Sequence, residues 1–325
     1  MVHRKLYVVL FTSLLLLCAI CILQVALVFF LKNGAGSKGK PGRLFGATYM
    51  TMDNQYFEIL NTAIDELLEA NGDRLVTRDP ANMQSKQNEQ ILDMITMGVE
   101  MIFINPVDKD AVVPALETCR QRGVPFILVD TSISQKDLAL CTIASDNYQA
   151  GCLVAQEVMR QKNRADIVIL YDKDIESTSS RLQGFLNTLN DAAFPYNIVY
   201  TAAGTTLLHE TMVEMQRFLD LGVRFDVVFG SNDPSALGAL AAIQNNRLNA
   251  GQLVYGIDGS PSGKMMVQQH LLEATVAQFP MKMAQQAVQT AYEYLAGSPV
   301  PTNIVMPVEL ITKENIERFN VLGWQ

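Results

Sequence analysis

The chain has 325 residues, 49% of them hydrophobic, and a formal net charge of −8 from 25 basic and 33 acidic side chains. That length allows two ordinary domains with a substantial core. An acidic chain with no basic cluster interleaved with aromatics argues against nucleic acid as a main partner. Of five cysteines, Cys18 and Cys21 lie in the apolar N-terminal stretch. Cys119, Cys141 and Cys152, with three histidines (His3, His209, His270), give neither a disulfide framework nor a C-x-x-C or metal spacing, so no metal or cofactor is expected. Cys119, Cys141 and Cys152 read as core or surface thiols, with a Cys119–Cys141 pair left open.

The first element is Leu6–Leu31, an apolar run broken only by Thr12, Ser13 and Gln24. It exceeds the roughly 7–15-residue core of a secretory signal and reaches the about 20 residues a membrane span needs. No small-x-small site closes it, and neither Cys18 nor Cys21 follows the small residues of a lipoprotein box. Residues 1–32 are therefore expected to be an uncleaved signal anchor, with removal as a secretory signal the alternative. Arg4 and Lys5 before the run and Lys32, Lys38, Lys40 and Arg43 after it do not settle orientation, because long domains translocate largely regardless of charge. Residues 33–43, opening with NGAGSKGKPG, form a flexible spacer by composition.

From Leu44 the chain alternates short apolar β-branched runs with helical periods. Strand Leu44–Met50 leads to helix Tyr56–Ala70, whose Ile59, Leu60, Ala63, Ile64, Leu67 and Leu68 follow a 3.6 period up to Asn71-Gly72. Strand Leu75–Thr77, helix Gln84–Met97, strand Met101–Ile104, helix Ala111–Arg122 and strand Pro125–Val129 follow. After Ile143–Ser145 the rhythm restarts with helix Tyr148–Arg160, strand Ile167–Leu170, helix Ser180–Leu189, strand Ile198–Thr201 and helix Leu208–Leu221. Strand Asp226–Gly230 meets a turn in which Asp233 suits an N-cap and Pro234 the first helical turn. Strand Leu253–Ile257, helix Gly263–Gln269, strand Ala274–Ala277, helix Met281–Leu295 and one late strand near Val305–Leu310 close the chain. Such alternation predicts an α/β protein of two doubly wound parallel-sheet halves.

In such sheets ligands bind outside the carboxyl ends of the strands. The polar residues there are Asn54, Asn105, Asp130, Asn232, Asp258 and Gln278: two carboxylates, four carboxamides and no base. Carboxylates accept and carboxamides both donate and accept, a mixture that matches vicinal hydroxyls. A phosphate pocket would present Arg, Lys or helix N-termini. Tyr56 and Phe57 could cover the C–H face of a sugar. Singly, each residue could be only a cap, a turn or core; their common location at strand ends in both halves points to a polyol site. Arg181, one helical turn before Gly184-Phe185, reads as a structural ion-pair former. No nucleophile elbow, P-loop, G-x-G-x-x-G or metal spacing supports an enzyme.

Over Leu44–Leu310 the chain resembles the ribose-type periplasmic sugar-binding proteins, type 1 receptors of bacterial ABC importers. The resemblance is carried by INPVDKDAV (104–112), GVPFILVD (123–130), IASDN (143–147), VFGSNDPSALGAL (228–240), GIDGSPSG (256–263) and TVAQFP (275–280). It implies lobe 1 at 44–145 plus 278–307 and lobe 2 at 146–277 plus 308–325, joined by a three-segment hinge near 145–147, 278–280 and 307–309. It implies ligand contacts at Asn54, Tyr56, Phe57, Asn105, Asp130, Asn232, Asp258 and Gln278. It also locates departures: Thr131 and Ser179 stand where arginines would reach the sugar, and an aromatic platform aligns near Thr206. The implied activity is hinge closure on a neutral sugar or polyol, presented by a monomeric, membrane-tethered, extracytoplasmic receptor to an ABC permease. The alternative is a sensing module that engages a membrane sensor kinase.

Overall fold

The computed structural model describes residues 42–204, 206–246 and 251–325, together with the isolated Gln24. The expected anchor at 1–32 and nearly all of the spacer lie outside these residues, Gln24 aside. Among the described residues no helix is long and apolar enough to cross a membrane.

Lobe 1 begins with β1 (Leu44–Thr48), α1 (Gln55–Glu69), β2 (Arg74–Arg78), α2 (Gln84–Met97), β3 (Met101–Ile104), α3 (Val113–Arg122), β4 (Phe126–Val129) and β5 (Cys141–Ser145). Lobe 2 runs through α4 (Asn147–Gln161), β6 (Ala165–Tyr171), α5 (Glu176–Asp191), β7 (Tyr196–Ala203), α6 (Leu208–Asp220), β8 (Val227–Gly230), α7 (Asp233–Asn245), β9 (Leu253–Asp258), α8 (Pro261–Gln268) and β10 (Ala274–Ala277). The chain then returns to lobe 1 with α9 (Pro280–Leu295) and β11 (Asn303–Met306), and ends in lobe 2 with β12 (Glu309–Thr312).

The two sheets repeat one order, β2-β1-β3-β4-β5-β11 and β7-β6-β8-β9-β10-β12. In each, the order reverses beside the first strand, so the carboxyl ends of the following strands open onto a crevice. Sheet one is parallel throughout. Sheet two carries one antiparallel edge, β12 on β10 with Ala274 opposite Thr312. The single late strand expected at Val305–Leu310 is in fact two strands in different sheets. Pro307, which cannot donate to a ladder, sits between them where the chain crosses lobes.

The central strands of each sheet are buried on both faces, as a parallel sheet requires. In lobe 1, Phe45, Ala47, Met101, Phe103, Ile127 and Val129 pack with Leu60, Ile64 and Leu68 of α1 and Met283, Ala287 and Val288 of α9. The alternate residues Ile102, Ile104, Phe126 and Leu128 pack with Ile91 and Met94 of α2 and Leu116 of α3. Lobe 2 repeats the scheme, with Phe229, Tyr255 and Ile257 against Val154 and Phe185, and Val168, Val228 and Val254 against Met215, Phe218 and Ala239. Cys141 and Cys119 fall in separate clusters on the two faces of sheet one, and both are free, buried thiols, as is Cys152. Burial pushes Cys119 up to about 12 and Cys141 up to about 11.

Candidate functional site

Lobe 1 contributes an aromatic wall and one carboxylate. Asn54 caps α1, its Oδ1 accepting the Tyr56 N–H at 3.0 Å, and so sets the next two residues in the first helical turn. Tyr56 and Phe57 are buried there and meet edge to face, 5.5 Å apart at 87°. Beyond β3, Asn105 accepts the Met50 N–H and donates from Nδ2 to Val129 O and to Asp130 Oδ2, each at 3.2 Å. Asp130, just past β4, has φ +70°, a left-handed backbone that costs a non-glycine residue on the order of 1 kcal/mol or more. Its N–H bonds to Ile143 O at 2.8 Å, and this contact with that from Asn105 holds the strained residue and its carboxylate in place.

Lobe 2 contributes an ionic wall. Asn232, rather than the expected Asp233, is the N-cap of α7: its Oδ1 accepts Ser235 N–H at 2.9 Å and Ser235 Oγ–H at 2.6 Å. Its Nδ2 donates to Thr206 O at 2.9 Å, so the Asn232 amide is committed on both sides. Asp233 instead turns inward and is completely buried. It accepts from Thr275 Oγ1 (2.6 Å), Ser260 N (2.8 Å) and Ser260 Oγ (2.7 Å). A Cβ on Gly256 or Gly263 would lie 2.3 or 2.2 Å from that carboxylate, so only glycine admits it at either position. Asp258 closes β9; its Oδ1 accepts from Gln278 Nε2 at 2.8 Å and its Oδ2 from Asp233 N–H at 3.3 Å. Arg181 of α5 donates from Nε to Asn147 Oδ1 (2.8 Å) and from Nη1 to Ser231 O (2.7 Å), and stands 3.7 Å from Asp258 Oδ1.

These walls enclose a cavity of about 30 Å³. Of the residues expected in the site, Asn54, Tyr56, Phe57, Asp130, Asn232, Asp258 and Gln278 line it. Three do not. Asn105 is fully buried behind Asp130 and positions it. Thr131 points across to the other lobe, its hydroxyl accepting Ser177 N–H at 3.1 Å. Ser179 sits outside the cavity with its hydroxyl on Lys173 O at 3.3 Å. Arg181 does hold structure together, as expected, and it also lines the cavity, beside Ser177, Thr178, Thr206 and Leu207. Where an aromatic platform was in question, Thr206 and Leu207 stand.

Two features had no strand-end signal. Asp233 was read only as a cap. Trp324, the chain's only tryptophan, packs edge to face on Tyr56 at 5.5 Å and 71° and joins the lobe 1 core. Its tail is tied to lobe 2 by Lys264, wholly buried, whose Nζ donates to Asn320 O at 2.6 Å and to Gly323 O. A lone tryptophan near the terminus and a lysine inside an apolar helix were the available signals.

Electrostatically the cleft is acid-rich. Burial pushes Asp130 up to about 6, with Arg181, Tyr56 and Asn105 pulling back. Burial, followed by repulsion from Asp233, pushes Asp258 up to about 8. Among the described residues no group of three or more His, Cys, Asp or Glu side chains could hold a metal ion. The arrangement offers acceptors around a small cavity floored by aromatics, and no nucleophile–base pair.

A family model described as periplasmic binding protein domain matches residues 45–299. The ribose import binding protein of Salmonella typhimurium is 29% identical over 267 residues, covering 81% of this chain and 88% of that protein. Its Bacillus subtilis counterpart is 28% identical over 282 residues, covering 86% and 90%. In fold, the chain is similar to an ABC transporter solute-binding protein from Bacillus halodurans solved with myo-inositol, with a TM-score of 0.79, 24% identity, and 86% and 98% of the two chains covered. The chain belongs to the periplasmic binding protein domain family as a ribose-type, type 1 member, and is a binding protein rather than an enzyme.

Proposed function

We propose that the interlobe cleft binds one monosaccharide-sized sugar or polyol, and that the closed form presents it to the permease of an ABC importer. The observation that carries this reading is the convergence of Asp130 and Gln278 with Asp258 on one small cavity floored by Tyr56 and Phe57. Each carboxylate can accept from vicinal hydroxyls, at about 1.5–3 kcal/mol per charge-assisted bond. The relatives' names support the ligand class: both are ribose import binding proteins.

Closure is favoured only by contacts unique to the closed form. Thr131 on Ser177 and Lys109 Nζ on Lys173 O join the lobes; in this reading they form on closure, and the ligand adds the rest. The chain crosses between lobes at 145–147, 277–280 and 306–309, which supports a hinge there. In this reading the protein works on the extracytoplasmic face of a membrane, held by Leu6–Leu31.

The test is thermal shift of the full-length protein against pentoses, hexoses and cyclitols. A ligand at 100 times its Kd stabilises by about 2.7 kcal/mol. A hit that disappears in Asp130→Ala and Asp258→Ala supports the reading; no shift with any member counts against it. Co-purification with a permease supports transport, and with a sensor kinase replaces it by signalling.

A further inference from the structure

The charges around the cleft do not balance. Asp130 at the end of β4, Asp258 at the end of β9, Asp233 behind it on α7 and Glu176 at the start of α5 face two cations, Arg181 of α5 and Lys264 of α8. Lys264 has its ammonium on the Asn320 and Gly323 carbonyls. Arg181 has Nε on Asn147 and Nη1 on Ser231 O, and reaches Asp258 only at 3.7 Å. Asp130 therefore accepts only from neutral groups, as Asp258 does within hydrogen-bond distance. Gln278, 2% exposed and lining the cavity, gives its Nε2 to Asp258 and leaves its Oε1 with no donor.

Acceptors thus exceed donors among Asp130, Asp258 and Gln278, which line the cavity from the ends of β4, β9 and β10. A hydroxyl donates one hydrogen and also brings lone pairs that need donors of their own. An ammonium donates three and accepts none. Its positive charge would also favour the ionised form of Asp130 and Asp258, which burial otherwise pushes toward protonation. We propose that the ligand is an amino-polyol, a monosaccharide- or cyclitol-sized molecule whose protonated amine sits among Asp130, Asp258 and Gln278 Oε1. This rests on the sugar-receptor reading and narrows it. Asn54 Nδ2 and the remaining Arg181 N–H groups are left for the ligand's hydroxyl oxygens.

The experiment is calorimetric titration of the full-length protein at pH 7 with matched pairs: D-glucosamine and D-glucose, D-galactosamine and D-galactose, and an amino-deoxyinositol and myo-inositol. In at least one pair the amine binds about tenfold tighter than its parent, the difference between charge-assisted and neutral hydrogen bonding. N-acetylation of that amine abolishes the advantage, and Asp130→Asn shrinks it. Should that variant not fold, the acetylated ligand on the unaltered protein decides alone. If a parent sugar binds and its amine binds no better, the amine proposal falls and the receptor reading stands. If no member of any pair binds, the amine proposal falls, and the receptor reading is decided separately by the pentose, hexose and cyclitol panel.

Discussion

The two walls of the cleft are built differently. Lobe 1 offers rings and one carboxylate, anchored mainly within that lobe: Asn54 caps the helix that carries Tyr56 and Phe57, and Asn105 holds Asp130. Lobe 2 offers a connected set, in which Asp258 faces Arg181, accepts from Gln278 of the crossover and rests on Asp233. A wall assembled from local contacts keeps its shape whether or not the lobes meet. A wall assembled from mutually dependent charges in low dielectric is sensitive to each member. In the proposed reading, lobe 1 is the docking surface and lobe 2 the surface whose energy the ligand changes.

The contrast predicts unequal mutational costs. Arg181→Met removes the buried cation and leaves Asn147 Oδ1, Ser231 O and Asp258 without it; stability falls by about 3–5 kcal/mol in urea denaturation, the cost of breaking a buried pair from one side. Trp324→Ala removes the ring behind Tyr56 at a partly solvated edge, so the expected loss is smaller, about 2–3 kcal/mol. It should also weaken ligand binding, because Tyr56 loses its backing.

The raised acids make a pH prediction. A carboxyl whose folded pKa lies above its unfolded value stabilises the fold below that unfolded value and loses the contribution as pH rises through the folded one. With Asp130 at about 6 and Asp258 at about 8, the urea midpoint of the protein without added ligand falls between about pH 4 and 8. Asp258→Asn flattens the upper part of that decline. The smallest effect is expected at Thr131→Val, which deletes one interlobe acceptor while leaving both walls intact. Ligand affinity should fall by less than about tenfold, the worth of one hydrogen bond, with fold stability little changed.

Much of the architecture could be read from the sequence because a parallel strand buried on both faces is an uninterrupted apolar run. Strand Met101–Ile104 and strand Ala274–Ala277 are placed to the residue on that basis. The late strand was not resolved into two, since Val308 and Leu310 continue the pattern past Pro307 and only sheet membership separates them. Local cap chemistry was ambiguous in the same way: Asn232 and Asp233 are both good N-caps, and which one turns inward depends on Gly256, Gly263, Ser260 and Thr275, far along the chain. Strand-end position did find the residues facing the cavity, Asn54, Asp130, Asp258 and Gln278. It could not tell a residue in the cavity from one behind it, as with Asn105, and the resemblance that singled out Thr131 did not show it aimed at the other lobe. Trp324 belongs to no periodic element, so nothing in its neighbourhood placed it on Tyr56.

Titration of the full-length protein with the strongest binder of the sugar, cyclitol and amino-sugar panel, followed together by calorimetry and by Trp324 fluorescence, tests the cleft most directly. The account predicts a single saturable site, a fluorescence change with the same midpoint because Trp324 touches Tyr56, and loss of both signals in Asp130→Ala and Asp258→Ala. Binding that persists undiminished in both variants, or heat without any change at Trp324, would place the ligand elsewhere and contradict it.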